Sequence, residues 1–190
     1  MTQHTEKNII LGIDPGTQVF GYALLETEGK QATQLLSVGA VRLDKYEDAY
    51  HKLELIFRKI SKLIETYKPT QMAIEAPFYG KNVQSMLKLG RAQGVAIACA
   101  RIHKLVITEY SPKTIKQAIT GNGNASKEQV AAMLQRLLQL DRLPKYYDAT
   151  DALGVAVCHH LQQTSLLGNL GKGSTKNWKA FIEKNPHRIK

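Results

Sequence analysis

Asn8-Ile9-Ile10-Leu11-Gly12-Ile13-Asp14-Pro15-Gly16-Thr17 is an isoleucine-rich apolar run that ends in an acid and is cut off at once by Pro-Gly. Such a run reads as a β-strand and such a pair as its stop, so Asp14 belongs at a strand's C-terminus. Gln71-Met72-Ala73-Ile74-Glu75, followed by Ala76-Pro77, repeats the pattern. Glutamate is a poor strand residue, so its place at the end of an apolar run calls for a reason other than propensity. If the two strands are parallel neighbours, their spacing of about 5 Å brings both carboxylates into one crevice at the C-terminal edge of the sheet, where open α/β sheets place their sites.

A second acidic pair arrives from a helix. Asp148 and Asp151 are three apart near the start of a helical stretch and share a face. That face continues through Ala152, Val155, Ala156 and His159, a stripe of small and apolar residues expected to point at the core, which aims the acids at the sheet. Asp148 alone could be a partner for the helix dipole, and Asp14 alone an ordinary turn residue before Pro-Gly. Four converging acids repel one another unless cations compensate. Their oxygen-only donor set points to Mg²⁺ or Mn²⁺ rather than zinc.

The chain has 190 residues, enough for one well-buried domain, and carries 26 Lys and Arg against 16 Asp and Glu, a formal charge of +10. A basic protein that gathers acids at one point suggests a polyanion held by the surroundings and cut at a metal. Met1 to Lys7 begins no signal peptide and no apolar stretch is long enough to span a bilayer, so a cytoplasmic location without membrane attachment is expected. Cys99 and Cys158 lie in apolar helical contexts without metal-ligand spacing and are expected to be buried and reduced.

Outward from the opening run, strands are predicted at Asn8 to Asp14, Val19 to Thr27 and Gln34 to Leu43, joined by connections short enough for an antiparallel meander. Tyr50 to Tyr67 places Leu53, Ile56, Phe57, Ile60, Ile64 and Tyr67 on one helical face. After the strand ending at Glu75, Asn82 to Ala100 reads as a helix with Gly90, Gly94 and Ala98 at four-residue spacing, a face that lets another helix approach closely. Lys104 to Tyr110 reads as a fifth strand. Ser111-Pro112 opens a short helix through Ile119, Ser126 with Gln129 forms a capping box for a helix to about Leu140, and Lys145 to about Gln163 is the helix bearing the acidic pair. The order βββαβαβααα predicts an α/β domain with a mixed five-stranded sheet flanked by helices.

Gly12-Ile13-Asp14-Pro15-Gly16-Thr17, Glu75-Ala76-Pro77-Phe78-Tyr79-Gly80-Lys81-Asn82, Leu89-Gly90-Arg91-Ala92-Gln93-Gly94 and Asp148-Ala149-Thr150-Asp151-Ala152 together resemble the bacterial RuvC Holliday junction resolvases, over about residues 8 to 162. Actin-like sugar kinases open with a related Asp-x-Gly-Thr loop but need two such domains and a much longer chain. The resemblance implies an RNase H-like fold over residues 1–163, a homodimer, and divalent-metal-dependent nicking of two like-polarity strands at a four-way DNA junction, with two Mg²⁺ ions per site, Mn²⁺ able to substitute, and 5′-phosphate products. Asp14, Glu75, Asp148 and Asp151 match its catalytic and metal-holding acids. Some family members carry His where Asp148 stands. Phe78 matches an aromatic that contacts a base at the crossover, Lys81 falls in the same DNA-contacting motif, and Lys116 and Lys127 match basic residues near the scissile phosphate. Lys127 also draws notice on physical grounds, since a cation in the first turn of a helix opposes the dipole. Branch-migration proteins of the RuvA and RuvB type are the partners the resemblance implies. The competing readings are another RNase H-like nuclease and a junction-binding protein without catalysis.

The stretch 164–190 falls outside that match and reads as a basic tail. Lys172, Lys176, Lys179, Lys184, Arg188 and Lys190 face only Glu183, and Trp178, Phe181 and Ile182 are spaced for one helical face after a Gly-Lys-Gly-Ser link. Contact with DNA and docking on the domain or a partner subunit are equal expectations for it.

Overall fold

The computed structural model describes residues 7–28, 32–77 and 82–164. Phe78, Lys81 and the tail from 165 onward lie outside these residues. The described elements are β1 (Lys7–Asp14), β2 (Val19–Glu28), β3 (Ala32–Arg42), α1 (Ala49–Tyr67), β4 (Gln71–Glu75), α2 (Val83–Ile102), β5 (Val106–Tyr110), α3 (Pro112–Thr120), α4 (Lys127–Leu137) and α5 (Tyr147–Thr164), in the expected order. The sheet runs β3-β2-β1-β4-β5. β1, β2 and β3 pair antiparallel as a meander, whereas β4 joins β1 and β5 joins β4 in parallel, each after a helical crossover. The result is the mixed five-stranded α/β sheet that the strand and helix periodicities imply.

Alternation along the strands divides the core into two layers. Leu11, Ile13, Leu24, Met72 and Ile74 face α1 and α2, where they meet Ile56, Ile60, Ala92, Ala96 and Cys99. Ile10, Ala23, Leu25 and Ala73 face the other way, onto α5. Asp14 is in phase with Ile10 and Gly12, and Glu75 with Ala73, so both acids emerge on the α5 side.

Several boundaries and faces differ from expectation. Phe57 is 41 % exposed, because α1 centres its buried stripe on Ile56, Ile60, Leu63 and Ile64 and leaves Phe57 at the margin. β5 begins at Val106 rather than Lys104, since Lys104 adopts a left-handed φ of 64° in the turn out of α2. α4 stops at Leu137, three residues short of Leu140, with Gln139 turning left-handed at φ 50°. α5 is not one-faced: Ala149 and Thr150, and every residue from Ala152 to His160, are buried. The sheet covers one side of that helix, and Ile115, Ile119, Val130 and Leu134 of α3 and α4 cover the other. Both cysteines are buried and unpaired, as their apolar settings imply.

Two glycines set how closely α5 can lie. A Cβ on Gly12 would run into the carbonyl oxygen of Ala152 and come within 2.8 Å of the Ala156 Cβ, and one on Gly21 would strike the carbonyl oxygen of Asp148. Gly12→Ala is therefore expected to force α5 off β1 at a cost of about 1–3 kcal/mol, the usual range for overpacking, and to lower the melting temperature by a few degrees. A denaturation midpoint equal to that of the wild type would mean that α5 does not rest on this glycine.

Candidate active site

The parallel register that matches Ile13 with Ile74 makes Asp14 and Glu75 the next neighbours along adjacent strands. Asp14 also pairs with Gly21 of β2, the glycine under the first turn of α5. Because α5 starts there, its opening turn delivers Asp148 and Asp151 over the same edge. Three elements thus bring the four sequence-predicted acids together: β1, β4 and the N-terminus of α5.

The electrostatics register this convergence. Partial burial at the strand end, reinforced by the charges of Glu75, Asp151 and Asp148, pushes the Asp14 carboxyl up to about 8. Glu75 is pushed up to about 7, first by burial and then by Asp151, with Lys127 and Lys116 pulling the other way. These are the groups a dication would hold in ionised form, and an all-carboxylate donor set suits a hard cation such as Mg²⁺. The donor chemistry fits a metal, although the side chains do not form a ready-made cage: among the described residues no three His, Cys, Asp or Glu are gathered as ligands of one ion.

A protein cation stands among them instead. Lys127, the first residue of α4, reaches across to Asp151 with Nζ 2.6 Å from Oδ2. The helix start that carries it is fixed by a reciprocal capping box between Ser126 and Gln129. This contact accounts for a lysine in a first turn: the acidic cluster outweighs the helix dipole. Burial opposes the lysine's charge, but the hydrogen bond to Asp151, with the charges of Asp151, Asp14 and Asp148 behind it, raises its pKa overall. Lys116 approaches Glu75 from α3, a short helix capped by Ser111 with proline in its first turn.

Sequence reading did not find the polar network beneath the site. Tyr110, the ladder partner of Glu75, has its hydroxyl 2.8 Å from His159 Nδ1, and His159 Nε2 lies 2.7 Å from Gln71 Oε1. With the amide oxygen accepting from Nε2–H, Nδ1 is left to accept the tyrosine proton. Burial, with a smaller contribution from His160, lowers the His159 pKa to about 4, so the imidazole is neutral. It ties α5 to β4 and β5 at once. No spacing in the sequence marks this network, because its members are far apart in the chain and meet only through the sheet order.

An acid whose pKa is raised on folding stabilises the fold while protonated. That contribution is complete below the ordinary values of 3.8 and 4.5 and is lost as pH rises through about 7 for Glu75 and about 8 for Asp14. In chelator, the melting temperature should accordingly gain from these groups as pH falls from above 8 towards 6, and the gain should shrink in Asp14→Asn, which has no charge to relieve. Identical pH profiles for the two proteins, followed by calorimetry, would show that the acids are not coupled.

Comparison with known proteins adds the family to this geometry. The family model described as crossover junction endodeoxyribonuclease RuvC matches residues 10–159. A protein of that name from Cytophaga hutchinsonii is 56 % identical, with 98 % of this chain and 90 % of that protein covered, and one from Porphyromonas gingivalis is 51 % identical over 97 % and 98 %. Among solved structures, Thermus thermophilus RuvC in complex with a Holliday junction substrate superposes with a TM-score of 0.78 at 27 % identity, covering 83 % of this chain and 95 % of the other. A structure of Thermus thermophilus RuvC gives 0.75 at 29 % identity over 82 % and 95 %. All four catalytic candidates fall within the matched span or on the elements that build it, and the chain belongs to the crossover junction endodeoxyribonuclease RuvC family.

Proposed function

We propose that this chain resolves four-way DNA junctions in recombination and repair by nicking two strands of like polarity, with Asp14, Glu75, Asp148 and Asp151 holding the divalent metal. The observation that carries the reading is the meeting of four acids from β1, β4 and α5 in a member of a nuclease family. Two Mg²⁺ ions, or Mn²⁺ in their place, would supply Lewis acidity at the phosphodiester and a nucleophile from water at neutral pH. The remaining work falls to the protein. Lys116 and Lys127 offset the negative charge that builds on the phosphoryl group during in-line attack. Lys127 is long enough to serve first Asp151 and then a phosphate oxygen, so its ion pair keeps the acids together before substrate arrives. Phe78 and Lys81, on the segment that leaves Glu75, are assigned the crossover base and a neighbouring phosphate on the family resemblance. The products carry 5′-phosphate and 3′-hydroxyl ends.

Paired nicking asks for two sites on a two-fold substrate, hence a two-fold dimer. The open face of α2 supports this. Val83, Leu87 and Ile102 are 63 %, 54 % and 69 % exposed, and nothing lies within 4 Å of where a Cβ would stand on Gly90 or Gly94. With the exposed Ala98 between Gly94 and Ile102, these residues follow one another at three- and four-residue steps, so they share a stripe on which a second copy of α2 could seat closely. Cooperation with RuvA- and RuvB-type proteins belongs to the same reading. No helix among the described residues is long and apolar enough to cross a membrane.

Asp14→Asn should abolish nicking in Mg²⁺ and leave junction binding largely intact, because the amide keeps shape while removing a charge the metal requires. Wild-type cleavage by this variant would remove the assignment. Parallel assays on four-way junctions, linear duplex and RNA-DNA hybrid separate a resolvase from another nuclease of the fold, and binding without any cut would favour the non-catalytic reading. Gly94→Leu, placed in open space, should fold normally yet lower the mass seen by light scattering and uncouple the two nicks. A fully paired-nicking dimer from Gly94→Leu would move the interface elsewhere.

A further inference from the structure

The carboxylates occupy the middle of the sheet's C-terminal edge, at β1 and β4, and the strand to be cut must leave them in both directions. On the β5 side, Lys116 stands on the helix that follows β5 and acts on Glu75. Towards β3 lies a cluster that no role described above absorbs. Arg42 ends β3 opposite Val19, at the same edge as Asp14, two strand spacings over and two residues further along, about 12 Å away. Its guanidinium is gripped by Asp44, with Nε 2.8 Å from Oδ1 and Nη2 2.5 Å from Oδ2, and its Cζ sits 5.9 Å from the centre of the Tyr146 ring. Tyr146 is half-buried, and its carbonyl accepts from the backbone N–H groups of Ala149 and Thr150, which fixes the start of α5. With Tyr146 anchored, the next ring is turned outward: Tyr147 is 63 % exposed, one residue before Asp148. The Lys145 ammonium lies 5.9 Å from the Tyr146 ring, and the residue is exposed.

A lone exposed tyrosine needs no explanation. Here the ring projects from a helix start beside the acids, two residues after a lysine whose ammonium lies over the neighbouring Tyr146 ring and whose charge no described ion pair consumes. Aromatic rings interleaved with cations are what unstacked nucleotides bind: a ring face for the base and an ammonium for the phosphate. We propose that Lys145 and Tyr147, braced by Tyr146 and Arg42, form a ledge that takes an unstacked nucleotide of the cut strand on the β3 side of the scissile phosphate. The proposal deepens the nuclease reading of the four acids and rests on it. Arg42 is a brace rather than a phosphate ligand, because Asp44 already occupies both of its facing nitrogens. Tyr147 works by offering its ring face, so its hydroxyl is dispensable.

The test uses the full chain in chelator, where binding is read without cleavage, and four-way junctions carrying 2-aminopurine at one position at a time along the cut strand. Wild type and Tyr147→Phe should quench the probe at one position on a single side of the cut. Tyr147→Ala should lose that quench and bind the junction about 5- to 150-fold more weakly, the worth of one stacked base. Lys145→Gln should reduce the slope of log affinity against log salt by about 0.7, one phosphate contact on single-stranded DNA. Unchanged quench and affinity in Tyr147→Ala would overturn the ledge, as would a loss that Tyr147→Phe shares, which would point to the hydroxyl instead. Melting curves of Tyr147→Ala should match wild type, since the ring is exposed. Because the readout is binding, failure here leaves the Asp14→Asn result standing, and failure of that result is seen separately in Mg²⁺.

Discussion

Backbone contact between α5 and the sheet is the constraint on which this molecule turns. Gly12 and Gly21 leave the carbonyl oxygens of Ala152 and Asp148 lying where side chains would otherwise stand. An ordinary residue at either place would lift the helix by the thickness of a methyl group and carry Asp148 and Asp151 away from Asp14 and Glu75. The close approach also suits the run of small and medium side chains from Gly154 to Cys158 in the middle of α5. Polar groups trapped in that layer are matched, as in the chain from Tyr110 through His159 to Gln71, and no buried side-chain polar atom among the described residues lacks a partner.

Close approach has an electrostatic cost, and the cost is what calls for a cation. Four acids drawn together in a partly dry crevice hold two of their number near neutral pH, Glu75 at about 7 and Asp14 at about 8. A fold that accumulates such repulsion at one place is primed for a cation, and the Lys127 ammonium supplies a local one through Asp151. On the proposed reading, surrounding that negative point with a chain of net charge +10 reconciles two demands, holding a polyanion and concentrating acids at one place.

Much of this was legible because it rests on short-range signals. An apolar run closed by an acid and a breaker locates Asp14 and Glu75, and the three-residue spacing of Asp148 and Asp151 puts them on one face. Ser126 with Gln129 announces the helix that carries Lys127, and the oddity of a lysine at that place hints at a partner without naming it. What escaped depends on strand order. The parallel pairing of β4 with β5 decides that Tyr110 stands beside Glu75, and the order β1-β4-β5 beneath α5 decides that Gln71 meets His159, and no local pattern encodes those meetings. The single stripe read on α5 fell short for a related reason: burial from a second side by α3 and α4 leaves a helix apolar all round, which periodicity alone cannot distinguish from a weakly patterned one.

The sheet itself acts as a partition. The four site acids, Lys116, Lys127 and the His159 network lie on the side of α5, whereas α1 and α2, with the open stripe of Leu87, Gly90 and Gly94, lie on the other. On the proposed dimer, chemistry and assembly are written on opposite surfaces of one slab whose interior is common to both. In such a dimer, substitutions that reshape the α2 stripe would reset the distance and angle between two copies without touching any of the four acids. The same centre would in this way be spaced to suit differently shaped DNA, with each surface free to change without disturbing the other.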